Sequence, residues 1–124
     1  MSDAVQTLVL VADDNEAIRD TTAAILRAVG YTVIVAPDGQ VALEEIAKTA
    51  FDVILLDVRM PVQDGISVVE ALIGDSPPPE IMLVSAYDFD ATTREHLNRR
   101  VFKYLKKPVP PRELIEAVRL AAAH

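Results

Sequence analysis

Asp52-Val53-Ile54-Leu55-Leu56-Asp57 is the stretch that decides the fold. Four large aliphatic residues follow one another between two carboxylates, with no polar alternation. A strand with one wet face alternates, whereas a strand covered on both faces reads as a continuous apolar run. The stretch therefore predicts a central strand with helices on both sides. It also predicts a carboxylate, Asp57, at the carboxyl end of that strand.

Working outward, four more strand patterns appear, at Thr7–Ala12, Thr32–Ala36, Glu80–Ser85 and Phe102–Lys106. The last carries Lys103, Lys106 and Lys107 and reads as an edge strand. Helical periods lie between and after them. Ile18, Ile25, Leu26 and Val29 form a stripe that Gly30 ends. Asp38 is placed to cap a helix burying Ala42, Leu43, Ile46 and Ala47. A third helix buries Ile66, Val69, Leu72 and Ile73. A fourth, Ala91–Asn98, capped by Asp90, has Leu97 as nearly its only large apolar residue, so few buried contacts oppose its movement. The fifth begins near Pro110-Pro111, where proline suits a first turn, and buries Leu114, Ile115, Val118 and Ala122. Pro77-Pro78-Pro79 reads as a stiff connector.

Five alternations of strand and helix imply a parallel sheet wound on both faces through right-handed crossovers, α/β in class. The order 2-1-3-4-5 is expected, with the first and third strands adjacent at the switch point. Sites in such sheets lie at the carboxyl ends of the strands. There the first strand ends on Asp13-Asp14, the third on Asp57, the fourth on Ser85 and the fifth on Lys107-Pro108. Three clustered carboxylates repel one another unless one is protonated or a cation sits among them. All-oxygen ligation suits a hard divalent ion, Mg²⁺ first, with Mn²⁺ as an alternative. A carboxylate can act as nucleophile toward phosphorus, which makes Asp57 the candidate acceptor. Lys107 supplies a positive charge for a phosphoryl oxygen and Ser85 a hydroxyl donor.

Bulk properties bound the rest. The 124 residues, 51% hydrophobic and 25% charged, fit one globular domain over 1–124 with a real core. No apolar run approaches the roughly 18 to 20 residues that span a bilayer. Met1-Ser2-Asp3-Ala4 shows no signal pattern, and a cytoplasmic location is expected. Cysteine is absent, which excludes disulfides and thiolate metal sites. The net charge of −7 argues against direct nucleic-acid binding. Eight of the twelve Lys and Arg residues lie between Arg94 and Arg119 against three acids, so that stretch carries +5 and the remainder −12. Such a segment either balances the acidic part or offers a docking face to an acidic partner.

These residues resemble the receiver domain of two-component response regulators, of the chemotaxis-regulator type. The markers are Val11-Ala12-Asp13-Asp14-Asn15, Leu55 to Gly65 (with Asp57, Arg59, Met60-Pro61 and Asp64-Gly65), Ser85-Ala86, and Tyr104-Leu105-Lys106-Lys107-Pro108. The resemblance spans essentially the whole chain. It implies a flavodoxin-like (βα)5 sandwich and a phosphoryl group passed to Asp57 from a sensor histidine kinase or phosphotransfer protein. It implies Mg²⁺ held by Asp14, Asp57 and the Arg59 backbone carbonyl, with Asp13 acting through water. It further implies that Ser85 turns toward the acyl phosphate, that Tyr104 swings inward with it and that Lys107 pairs with the phosphate, and in the family the bond matching Lys107–Pro108 is usually cis. Phosphorylation would add about −1.5 to −2 charges at Asp57 and bias a two-state surface built from the fourth helix, fifth strand and fifth helix. That surface could also serve dimerisation.

Two features depart from or individualise the pattern. Arg99 to Lys103 stands where the family commonly has a Gly-Ala turn. Arg59 and Tyr87 lie two residues after Asp57 and Ser85, positions that flank the phosphoryl group, and the hypothesis is that these long side chains hinder water and lengthen its lifetime. His96 and His124 show no ligand pairing and read as surface residues. The chain stops after the fifth helix, so it is expected to be free-standing or the N-terminal part of a regulator with an output domain or separate target. Other classes fit less well. Aspartate-nucleophile phosphatases of the haloacid dehalogenase type need a second aspartate where Arg59 stands. A flavin-binding flavodoxin-like protein would need a neutral phosphate cradle in place of Asp13-Asp14-Asn15-Glu16. A silent structural receiver would not need the full set of Asp13, Asp14, Asp57, Ser85 and Lys107.

Overall fold

The computed structural model describes residues 7–60, 64–72, 79–97 and 100–124, with the His96 side chain left aside. Met1 to Ala4, Pro61 to Gln63, Ile73, Pro77-Pro78, Asn98 and Arg99, to which expectations were attached, lie outside the described residues. Ten elements alternate: β1 Leu8–Ala12, α1 Glu16–Ala28, β2 Thr32–Ala36, α2 Gly39–Lys48, β3 Val53–Asp57, α3 Gly65–Ala71, β4 Glu80–Ser85, α4 Ala91–Leu97, β5 Val101–Lys106 and α5 Pro111–Ala123. The strands form one parallel sheet in the order β2-β1-β3-β4-β5. β3 is central and all five of its residues are buried, the physical reason for its unbroken apolar run.

Successive strand residues feed opposite faces. Leu10, Ile54, Leu56, Ile81 and Leu83 pack with Ala42, Val68, Val69 and Leu97 under α2, α3 and α4. Val9, Val11, Val53, Leu55 and Met82 pack with Ala23, Leu26, Leu114 and Val118 under α1 and α5. Each large aliphatic side chain fully buried in these layers contributes about 1.5–3 kcal/mol. β5 is an edge strand and more polar than β3, and a bulge shifts its register between Ile81 and Met82 of β4.

Local signals set the helix ends. Asn15, Asp38 and Asp64 accept from the backbone N–H of Ile18, Val41 and Ser67 and start α1, α2 and α3. Asp90 does the same for Thr93 ahead of α4. Gly30, at φ +107°, turns the chain after α1 into β2.

Four expected core positions are corrected. Ile18 is 40% exposed and Val29 48% exposed, whereas α1 buries Leu26 as expected and Ala23 besides. Val29 is the C-cap, beyond the last packed turn. Ala47 of α2 and Ala122 of α5 are exposed, and Ala121 takes the place expected of Ala122. For Ala47 and Ala122 helical rotation carries the residue past the edge of the stripe that faces the sheet. The first, third and fifth strands begin one residue from their expected starts, since end residues pair or fray by local geometry.

Candidate functional site

The carboxyl edge of the sheet gathers the predicted groups. Asp13 follows β1, Asp57 closes β3, Ser85 closes β4, and Lys107 follows β5. Asp13, Asp57 and Ser85 are the buried polar residues among those described, at 5%, 6% and 5% exposure. Buried charge requires partners, and Lys107 supplies them. Its Nζ donates to Asp13 Oδ2 at 2.9 Å and to Asp57 Oδ2 at 3.0 Å, across 94 and 50 positions of sequence. Asp14 is exposed at the rim. Carboxylate oxygens of Asp13, Asp14 and Asp57 lie within 4.8 Å of one another. One ammonium therefore faces three carboxylates, and the cluster is short of positive charge.

The electrostatics follow from that imbalance. Burial pushes the Asp57 carboxyl above its ordinary value and the Asp13 charge adds to the rise, against the Lys107 hydrogen bond, which lowers it. Burial acts to lower the Lys107 ammonium, but its bonds to Asp13 and Asp57 prevail and hold it above the ordinary lysine value. A hard divalent cation fits this oxygen donor set and the missing charge.

Backbone groups aim the side chains. The Asn15 N–H donates to Asp13 Oδ1 at 2.9 Å and the Arg59 N–H to Asp57 Oδ1 at 3.2 Å. The Tyr87 N–H donates to Ser85 Oγ at 3.1 Å, which leaves the hydroxyl proton free to donate elsewhere. The Lys107 N–H donates to the Ser85 carbonyl at 2.7 Å, locking the β5 end to the β4 end. The Lys107–Pro108 peptide is cis.

Around this centre the structure adds contacts that the sequence did not announce. The Arg59 guanidinium stacks on the exposed Tyr87 ring at 4.6 Å, bridging the turns after β3 and β4. Arg94 of α4 lies 4.8 Å from the centre of the Tyr104 ring and 6.0 Å from that of Phe89, and those two rings sit 4.7 Å apart. The Tyr104 hydroxyl is buried with no hydrogen-bond partner among the described residues, so contacts of the ring, not a hydrogen bond, hold it. Burial raises its phenol above the ordinary tyrosine value. Arg19 donates to the Asp13 carbonyl at 3.2 Å. Gly65 presses on the Asp57 backbone, where a Cβ would meet the Asp57 carbonyl oxygen at 2.6 Å. Gly65 was visible as the last residue of the Asp57 motif, whereas Arg19, Phe89 and Arg94 carry no local signal.

Other expectations settle more simply. His124 is a surface residue, with Nδ1 2.6 Å from Glu80 Oε2 and its ring edge-on to Phe102. Part of the basic excess is engaged locally: Lys106 pairs with Asp88 at 2.9 Å, Arg119 with Glu116, and Arg100 donates to the Leu72 carbonyl. No helix among the described residues is long and apolar enough to cross a membrane.

Comparison with known proteins agrees with this geometry. The family model for the response regulator receiver domain matches residues 9–119. A response regulator receiver domain protein (CheY-like) from Methanospirillum hungatei JF-1 superposes with a TM-score of 0.89 at 28% identity, covering 96% of this chain and 95% of that one. The receiver domain of Francisella response regulator 1452 superposes at 0.87 with 33% identity, over 95% and 98%. The transcriptional regulatory protein ZraR of Escherichia coli K12 is 34% identical over 116 residues, 94% of this chain and 26% of its own length. The chain thus spans about a quarter of the length of that relative.

Proposed function

The chain belongs to the response regulator receiver domain family of two-component signalling, and from that premise we propose that Asp57 is its phosphoacceptor. The observation that carries this reading is the buried Asp57 carboxylate, hydrogen-bonded to Lys107 and clustered with Asp13 and Asp14. Phosphoryl groups reach receivers from histidine kinases or phosphotransfer proteins. An Asp57 oxygen attacks phosphorus as the bond from phosphorus to the donor histidine nitrogen breaks. Lys107 then pairs with a phosphoryl oxygen, and the free Ser85 hydroxyl proton turns to another.

Asp14, Asp57 and the Arg59 backbone carbonyl would hold Mg²⁺, or Mn²⁺, with Asp13 reaching it through water. The ion would neutralise phosphoryl charge that Lys107 alone cannot match. Arg59 stands where an aspartate-nucleophile phosphatase keeps its acid/base, and a guanidinium stacked on Tyr87 cannot take that role. The reading is therefore of a signalling domain that acts on its own phosphorylation, in the cytoplasm.

Movement of Ser85 toward the phosphoryl group alters the space beneath α4. Tyr104, held by Phe89 and Arg94 without a hydrogen bond, responds, and the α4–β5–α5 surface changes its partner preference. That surface would meet an output domain, a separate target or a second receiver. The stacked Arg59–Tyr87 pair lengthens phosphoryl lifetime by obstructing water.

Intact-protein mass after incubation with acetyl phosphate and Mg²⁺, beside Asp57→Ala, tests the central reading. A phosphoryl-sized gain in the wild type alone, lost on chelation, is expected, and no gain would overturn it. Replacement of both Arg59 and Tyr87 by alanine is expected to speed dephosphorylation several-fold. An unchanged rate would remove the lifetime role.

A further inference from the structure

A cavity of about 650 Å³ opens from the acceptor site between α1 and α5, with Asp57 and Lys107 at its polar end. Ile25 of α1, Val109 of the β5–α5 turn and Leu114 of α5 give it apolar walls, and Thr21 borders it. Ile18 lines it as well and stays 40% exposed, because nothing across the gap covers it. A space of this size, mostly apolar with a few polar groups at one end, is the form of a small-molecule site.

The polar end limits the occupant. A bare fatty carboxylate would face the Asp13 and Asp57 carboxylates. A phosphate, with a divalent cation held as proposed above, is the anion this cluster can accept. The bond that makes a phosphorylated Asp57 is a mixed anhydride. A donor of equal bond energy is another acyl phosphate, whereas an alkyl phosphate would have to expel an alkoxide. We propose that this receiver takes phosphoryl groups directly from acyl phosphates with a straight apolar acyl chain, and that the α1–α5 cavity holds the chain. The inference rests on Asp57 being the phosphoacceptor.

The step balances without a co-reactant. An Asp57 carboxylate oxygen forms a bond to phosphorus as the bond from phosphorus to the acyl oxygen breaks. The electron pair leaves on the released carboxylate, and no proton is taken up or lost. Lys107 stays beside the transferring group. Each methylene buried against Ile25, Val109 and Leu114 is expected to raise the second-order rate constant by about 3- to 4-fold.

The test compares acetyl phosphate with hexanoyl phosphate in Mg²⁺, following intact mass, with the protein-free hydrolysis of each donor measured alongside. Hexanoyl phosphate is expected to react at least about tenfold faster. Thr21→Phe and Ala17→Phe, both at exposed α1 positions bordering the cavity, fill it without touching the acceptor. Each is expected to abolish the hexanoyl advantage and leave the acetyl phosphate rate within about twofold. Equal rates for the two donors in the wild type would overturn the inference and leave Asp57 as acceptor. An advantage that survives in both filled variants would overturn it as well. No mass gain from either donor would overturn the acceptor reading and this inference with it.

Discussion

Gly65→Ala sets two physical effects of opposite sign against each other beside Asp57. Gly65 opens α3, and alanine is preferred over glycine in helices by up to about 1 kcal/mol, less at a first position. A Cβ at Gly65, however, would sit 2.6 Å from the Asp57 carbonyl oxygen and 3.1 Å from both the Asp57 carbonyl carbon and Val58 Cα. These are backbone atoms, so no side chain can rotate away. To reach ordinary contact at 3.4 Å the β3–α3 junction must open by about 0.8 Å. Overpacking of this kind costs about 1–3 kcal/mol. The net expectation is a loss of about 1–2 kcal/mol. Unfolding entropy near 2.1 cal/mol/K per residue converts each kcal/mol to about 4 °C in a chain of this length, so Tm should fall by about 4–8 °C. The same opening displaces Asp57, and a misplacement of that order should slow phosphorylation about tenfold or more. Thermal unfolding followed by circular dichroism, with the acetyl phosphate assay, measures both. A Tm equal to or above wild type would show that the junction relaxes freely, and the steric reasoning would be wrong.

Three further outcomes are expected. Gly30→Ala meets open space but must hold φ near +107°, so it should cost about 1–2 kcal/mol in urea unfolding and leave phosphorylation unchanged; a neutral change would mean the α1–β2 turn adopts another conformation. Leu97 is the buried large side chain of α4 among the described residues, so Leu97→Ala should cost about 2–5 kcal/mol and speed amide exchange across residues 91–97 beyond that of the sheet; uniform exchange would show α4 is held by other contacts. Mg²⁺ at ten times its dissociation constant should add about 1.4 kcal/mol, or about 5 °C, and Asp14→Asn should shrink that gain; a wild type whose Tm ignores Mg²⁺ would refute the cation site.

The carboxyl-edge constellation was legible because each member ends a strand. Asp57 after Val53–Leu56, Ser85 after Ile81–Val84 and Lys107 before proline are local patterns, and a parallel sheet brings such ends to one edge. The caps Asp38 and Asp90 were legible for the same reason. The unbroken aliphatic runs gave the class of fold and the central place of β3, because alternation disappears only when both faces are covered.

What the chain could not display along its length is what two distant segments do to each other. The α1 stripe was drawn through Ile18, yet Ile18 is exposed, because the position of α5 decides which side of α1 is covered. The cavity beside Ile18 exists for the same reason. Arg59 and Tyr87 were marked by their offsets from Asp57 and Ser85, but their stacking depends on the spacing of two turns. Arg94 over Tyr104 and Phe89 needs α4 to settle against β5. Local order of residue types determined the strands and which polar residues stand at their ends. Only tertiary packing decided which charges pair, which apolar side chains remain wet and where a cavity opens, because those follow from the distances between elements.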